Sequence, residues 1–421
     1  MKPDGIIAAA PDFRLRFSFL TLAALLVLPL QLCAAAAPET PPPRHISAQD
    51  AAARLEKMRD AQELFPYDGK RKRTLAEAYA VYGAALLKNR QYEEADEQFV
   101  RALELYPEES DFTLLHGICS YRLKKYDAAR YELERARELM PDSVETLYYL
   151  GLVLYETDSP LQAVGVWEQA LQLAPGHAEI TRLLEKSRRE IAVEADMDRR
   201  HSSRFDLTYD PGVTAGTARM ILDVLEEAVN RIGSELGHFP QARVPVSIYR
   251  REDFKTVTAS PDWSGGVYDG TIRLPFGTVT EITPPLRAVL FHEYAHVVVY
   301  DLTRGNCPVW LNEGIAELFG RGQFSHPRTE AADKTAAVSL DHIRTMEGSF
   351  SGLSARDASR AYDQSRSLVG YIVKVYGWHR VSAILRELGK NRSIETAIAV
   401  ALQDYSLTYE DLVREWQEAP S

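Results

Sequence analysis

The chain is short of cysteine, of basic charge and of long apolar runs, and each shortage excludes something. Three cysteines in 421 residues are too few for a disulfide-built scaffold. Lysine and arginine number 49 against 60 aspartates and glutamates, a formal charge of −11. That is the wrong sign for a protein whose main work is gripping phosphate backbones, so nucleic acid is not an expected partner. Apolar residues are not scarce. At 45% of the chain they give enough surface to bury to exclude intrinsic disorder. The length suggests two or three domains, each with its own core. One stretch alone, at the very start, is apolar enough to involve a membrane.

In that stretch Arg14 and Arg16 precede an uncharged run from Phe17 to Leu32, followed by Cys33 and Ala34 to Ala37. A basic region, an apolar region and a small-residue exit predict a secretory signal peptide over 1–36, cut after Ala35 or Ala36. Left uncut, the same segment is long enough to anchor the chain in a bilayer. Lipidation at Cys33 needs a small residue before it, and Leu32 is not small. Each alternative predicts that the rest of the chain works outside the cytoplasm, in a periplasmic or extracellular setting. Membrane contact is then expected only through an uncleaved N-terminal segment. Residues 37–46, with Pro38, Pro41, Pro42 and Pro43, read as a linker. Cys119 and Cys307 remain. An oxidising compartment permits their pairing, but one falls in a repeat helix and the other in a distant loop, so two unpaired thiols are expected.

A period of 34 residues follows. Gly83, Gly117 and Gly151 share it, as do Ala95, Ala129 and Ala163, Ala102, Ala136 and Ala170, and Pro107, Pro141 and Pro175. Each copy reads as helix–turn–helix: the glycine gives room for close packing, the alanines line the seam, and the proline stops the second helix. Phe99, Leu133 and Trp167 fill one further equivalent position with bulk. The pattern over 76–177 resembles three tetratricopeptide repeats. A helix within 47–75 and a charged helix with its linker over 178–203 read as caps, which such solenoids need for solubility. Stacked repeats form a concave surface, so a protein partner is expected on this groove; a plain spacer is the alternative.

Beyond residue 203 the pattern changes. Phe205 to Tyr209 alternates like a strand, and Val246 to Arg250 and Gly266 to Leu274 are further strand candidates. Residues 215–236 carry apolar positions at helical spacing, with Gly237 as the stop. From Pro285 onward nearly everything reads helical. Strands first and helices later predict an α+β domain over 204–421 behind an all-α solenoid.

At the centre of this domain stands His292-Glu293-Tyr294-Ala295-His296. On a helix, positions i and i+4 share a face, so both imidazoles can reach one ion. Zinc suits two nitrogens and a carboxylate, with a fourth position left for water. Glu293 is placed to take a proton from that water. Twelve residues on comes Pro308-Val309-Trp310-Leu311-Asn312-Glu313-Gly314-Ile315-Ala316-Glu317, which leaves sixteen residues between His296 and Glu313. Its two acids, Glu313 and Glu317, sit one turn apart on a helix that reads as buried, and unpaired buried charge is expensive. A metal answers this, with Glu313 as third ligand and Glu317 holding an imidazole, that of His292.

The two motifs together resemble the gluzincin metalloproteases, a peptidase MA-like domain covering roughly 204–418. The resemblance implies one Zn2+ per chain held by His292, His296 and Glu313, with Glu293 as catalytic acid/base. It also implies a role for Tyr362, in Ala361-Tyr362-Asp363-Gln364-Ser365 at a helix start, as hydrogen-bond donor to the oxyanion. The glutamate motif by which the aminopeptidase group holds a substrate amino terminus is missing. The strand around Gly265 to Arg273 stands in the corresponding place as an edge for an extended peptide, with Asp269 a conjectural substitute for the glutamate. The expected function is an exported zinc peptidase acting on a peptide or protein substrate. Its rivals are a repeat-based adaptor with a silent peptidase-like domain, and a zinc hydrolase acting on a different bond or on one partner only.

Overall fold

The computed structural model describes residues 46–419 apart from 158, 259–266, 277–278, 323–349, 351–352 and 354. The leader and nearly all of the linker lie outside the described residues. Cys119 and Cys307 are both free thiols.

Among the described residues the first eight elements are helices: α1 (Ala48–Leu64), α2 (Gly69–Lys88), α3 (Tyr92–Leu105), α4 (Ser110–Arg122), α5 (Tyr126–Leu139), α6 (Val144–Glu156), α7 (Pro160–Leu173) and α8 (Ala178–Glu194). The hairpins α2–α3, α4–α5 and α6–α7 are the three repeats, flanked by α1 and α8. The 34-residue period has a direct packing cause. The repeated glycine of each first helix faces the repeated bulky residue of the second. A Cβ at Gly83 would lie 2.8 Å from Phe99, at Gly117 2.8 Å from Leu133, and at Gly151 2.2 Å from the Trp167 indole. Trp167, itself fully buried, donates its Nε1–H to the Tyr148 carbonyl at 3.2 Å. Any side chain at these glycines would push the two helices of a repeat apart.

The second half opens with a mixed five-stranded sheet of order β1-β2-β3-β5-β4. Its strands are β1 (Asp198–His201), β2 (Phe205–Tyr209), β3 (Val244–Ile248), β4 (Val267–Tyr268) and β5 (Ile272–Leu274). Strands β2, β3 and β5 run parallel, and β1 and β4 are antiparallel edges. Helix α9 (Ala215–Leu236) crosses from β2 to β3 and ends on Gly237 in the left-handed conformation (φ 60°). After α10 (Arg251–Thr258) and the β4–β5 hairpin the chain is helical: α11 (Pro284–Thr303), α12 (Val309–Arg321), α13 (Ala355–Tyr376), α14 (Trp378–Gly389), α15 (Ile394–Ala401) and α16 (Tyr409–Glu418). One core joins the sheet, α9 and these helices, with Phe205, Ile221, Tyr294, Trp310 and Leu385 among its buried members.

Three sequence readings need correcting. Gly266 lies outside the described residues, and the rest of the run read as one strand to Leu274 is two strands, because Asp269-Gly270 is turn chemistry: Gly270 takes φ 104°, which a hairpin turn requires and an L side chain resists. The third strand lies two residues earlier than Val246 to Arg250. Strand β1 falls within the segment read as capping helix and linker; Asp-Arg-Arg-His has no apolar alternation, and pairing with β2 alone makes it a strand.

The two halves meet through α8 and β5. Arg273, 3% exposed, reaches Glu190 at 2.8 Å, Asp269 at 3.1 Å and the Tyr249 hydroxyl at 2.6 Å. Lys186 of α8 pairs with Asp269 at 2.8 Å. A second contact joins Lys124 to Asp301 at 2.7 Å, and Arg304 to Glu93. Removing one partner of a buried ion network leaves the others uncompensated. Arg273→Ala is therefore expected to lower unfolding free energy by about 3–5 kcal/mol in urea titration, far more than removal of an exposed pair.

The repeats carry a half-buried titrating group of their own. His116 of α4 lies 3.3 Å from Asp96 and 3.5 Å from Glu132. Burial opposes a charged ring there, but the two carboxylates outweigh it and raise its pKa to about 9. A raised folded-state pKa gives stability that is fully present below the unfolded value of 6.5 and is lost as pH rises through about 9. Denaturant midpoints of the wild type should fall across that window, and those of His116→Gln should fall less.

Candidate metal centre

Helix α11 begins with Pro284 and Pro285, whose missing N–H groups cost nothing in a first turn, and is capped by the Thr283 hydroxyl accepting from Leu286 N–H. It drives Tyr294, Ala295, Val297 and Val298 into the core. Its other face carries His292 and His296. Helix α12 runs alongside, with Pro308 as its N-cap. Gly314 lets α12 close on α13, since a Cβ there would sit 2.5 Å from the Ser365 carbonyl oxygen. Packed this way, α12 turns Glu313 and Glu317 toward the histidines.

The structure brings His292, His296 and Glu313 together. The two Nε2 atoms lie 3.1 Å apart, and each is 3.6 Å from Glu313 Oε2. Glu313 is 8% exposed, and its Oε2 is buried without a hydrogen bond. The other faces of both rings are engaged. His296 Nδ1–H donates to Asn312 Oδ1 at 2.9 Å, and His292 Nδ1 faces Glu317 Oε1 at 3.5 Å. When the rings carry their protons on Nδ1 alone, as metal ligation requires, both Nε2 lone pairs point at one place. Two lone pairs and a carboxylate oxygen converging in a buried space repel one another unless a cation sits among them. Tetrahedral bonds of about 2.0–2.1 Å put neighbouring donors about 3.3 Å apart, and the observed triangle fits that.

The electrostatics agree. Burial disfavours a charged ring at His292, yet Glu313, Glu293 and Glu317 outweigh it and raise its pKa to about 9. Burial pushes Glu313 up, but His296 and His292 pull it below the usual carboxylate range. The centre demands positive charge. Glu293, 5% exposed, is raised above its ordinary value by burial, against the pull of the two histidines. Burial, reinforced by Glu313, Glu317 and Glu293, raises the Tyr362 phenol, so it stays protonated.

Residues 225–419 match the family model described as Peptidase MA superfamily, and residues 83–144 match the model described as Tetratricopeptide repeat. The chain joins a tetratricopeptide repeat region to a peptidase MA superfamily domain. Among solved structures it is similar to the first tetratricopeptide domain of Spaghetti bound to an HSP90 peptide. That likeness has 21% identity and a TM-score of 0.27, covering 28% of this chain and 93% of that one. It is also similar to MamA, with 16% identity and a TM-score of 0.29, covering 33% of this chain and 77% of that one. No curated protein matches.

The matched span of the peptidase MA domain holds every member of the centre. Tyr362 lies in it too, with its ring 5.1 Å from that of Phe350. It is two turns inside α13, not at a helix start, because nothing between Ala355 and Ala361 breaks the helix. Asp269 cannot replace the missing glutamate. Burial opposes its charge, but Arg273 and Lys186 overcome this and hold it well below the usual range; both its oxygens are spent on them.

Sequence reasoning missed Asn312, although it stands beside Glu313. The signal was available: two ligating rings need two outer partners, and Glu317 serves one. Also missed was the extension of Glu317 through Arg321 to Asp363 at 2.6 and 2.9 Å, which ties α12 to α13. Asn312→Ala should weaken zinc affinity by about 10–100-fold in a chelator competition, while leaving the melting temperature of the metal-free protein nearly unchanged.

Proposed function

We propose that this protein is an exported zinc-dependent peptidase. Its leader spans 1–36, its repeats 76–177 and its catalytic domain 204–421. One observation carries the reading: two imidazole nitrogens and a buried, otherwise unbonded carboxylate oxygen converge within a peptidase MA superfamily domain.

His292, His296 and Glu313 would hold a zinc ion, which would supply Lewis acidity to lower the pKa of water and polarise a peptide carbonyl. Glu293 takes the proton of the attacking water and delivers it to the leaving amine; a carboxyl raised by burial suits both steps. Tyr362, kept neutral by its surroundings, donates its O–H to the oxyanion, an interaction made only in the transition state. Asn312 and Glu317 fix the two rings by their Nδ1 atoms.

An extended peptide pairs with edge strand β4, whose outer side has no neighbouring strand among the described residues. The repeats hold a protein partner or the substrate itself, on a groove lined by Val100, Leu103, Pro107, His116, Glu132 and Arg135.

A quenched peptide library tests the reading on a chain beginning at Ala37, which retains every described element. Glu293→Gln should lower kcat by roughly 10²–10⁴ with zinc content unchanged. Tyr362→Phe should lower kcat by about 10²–10³ with little change in KM. Zinc-loaded wild type that cleaves nothing would return the domain to the adaptor reading. A Glu293→Gln variant as fast as wild type would remove Glu293 from the chemistry.

A further inference from the structure

The corner between α1 and α2 leaves its largest apolar side chains in solvent. Leu64 is 75% exposed, Phe65 52% and Tyr67 100%. Three bulky apolar residues within four positions are more than the scattered exposure a soluble surface normally carries. Directly behind them comes Lys70-Arg71-Lys72-Arg73 in the first turn of α2. Residues 64–74 thus carry four basic side chains and one acid, Asp68, in a chain of net charge −11.

Helix stability does not explain this. The N-terminus of a helix is its positive end and favours acids, yet α2 has no acid in its first turn. Arg71 is drawn back to Asp68 and lies 4.2 Å over the Phe65 ring. Arg73 pairs with Glu77 and Glu109. Lys70 and Lys72 have no carboxylate partner among the described residues, and both are exposed. The corner itself is anchored, since Tyr106 donates its hydroxyl to the Gly69 carbonyl at 3.3 Å. The Lys72 ammonium lies 5.5 Å over the Tyr106 ring, and neither it nor that of Lys70 is neutralised by a carboxylate among the described residues. Aromatic and aliphatic tips beside uncompensated ammonium groups on a fixed turn combine the two attractions that hold a protein at a charged bilayer, apolar insertion and electrostatic attraction.

We propose that the α1–α2 corner docks on an anionic lipid surface, with Leu64, Phe65 and Tyr67 entering the headgroup boundary and Lys70 and Lys72 facing lipid phosphates. This membrane contact is separate from the N-terminal apolar segment and independent of the proposed peptidase chemistry. It would hold the solenoid at the bilayer after the leader is cut.

Co-sedimentation of the chain beginning at Ala37 tests it, using vesicles of phosphatidylcholine with and without about one-third phosphatidylglycerol. The protein should bind the anionic vesicles, release in high salt, and bind neutral vesicles much more weakly. Lys70→Gln with Lys72→Gln should weaken binding about 25-fold, at about fivefold per basic residue. Phe65→Ser with Tyr67→Ser should weaken it at least about tenfold with the melting temperature unchanged. Equal binding to both vesicle types, or variants that bind like wild type, would overturn the proposal. So would a lowered melting temperature for the Phe65/Tyr67 pair, which would make these residues part of the fold. Binding to soluble polyglutamate but not to vesicles would assign the corner to an acidic protein partner instead.

Discussion

Two imidazole nitrogens 3.1 Å apart, with a buried carboxylate oxygen 3.6 Å from each, set the constraint on which the second half of this protein depends. Such a cluster is unfavourable by itself, because its lone pairs face one another where water is scarce. It is favourable around a cation. The surrounding helices are arranged to keep it in place. Helix α11 puts both rings on one face, α12 presents Glu313 from a helix that a glycine lets close on α13, and Asn312 and Glu317 fix ring orientation from outside. The chain Glu317–Arg321–Asp363 then locks α12 to α13, so the helix that carries the third donor is tied to the helix that carries Tyr362.

The solenoid is held to this domain by a buried charge network and by a small apolar cluster in which Val193 of α8 packs against Tyr249, Phe254 and Val257. Arg273 lies on β5, beside edge strand β4, and its partners reach it from α8 and from the β4–β5 turn. The same residues that join the two halves therefore sit next to the strand proposed to take substrate. They also explain why Asp269 is not free to do what the aminopeptidase glutamate does.

Much of this was legible in the sequence because the causes are local. A 34-residue period follows from one glycine facing one bulky side chain in each repeat. The spacing His-x-x-x-His follows from 3.6 residues per turn, and two acids one turn apart on an apolar helix advertise a need for compensation. What was not legible depends on tertiary contact. Strand β1 exists only by pairing with β2. Asn312 acquires its partner only when α12 lies against α11. Arg273 takes one oxygen of Asp269 from four residues away, and the other is taken only because α8 brings in Lys186, 83 residues away in sequence. The hairpin at Asp269-Gly270 is the exception: its turn dipeptide was readable and points to two strands.

The most direct test of the centre is X-ray absorption at the zinc edge of the loaded protein. A first shell of nitrogen and oxygen alone at about 2.0–2.1 Å, with the outer scattering of two imidazoles and one ion per chain, is the expected result. A sulfur ligand at about 2.3 Å, a single imidazole, or metal well below one ion per chain would contradict the assignment of His292, His296 and Glu313.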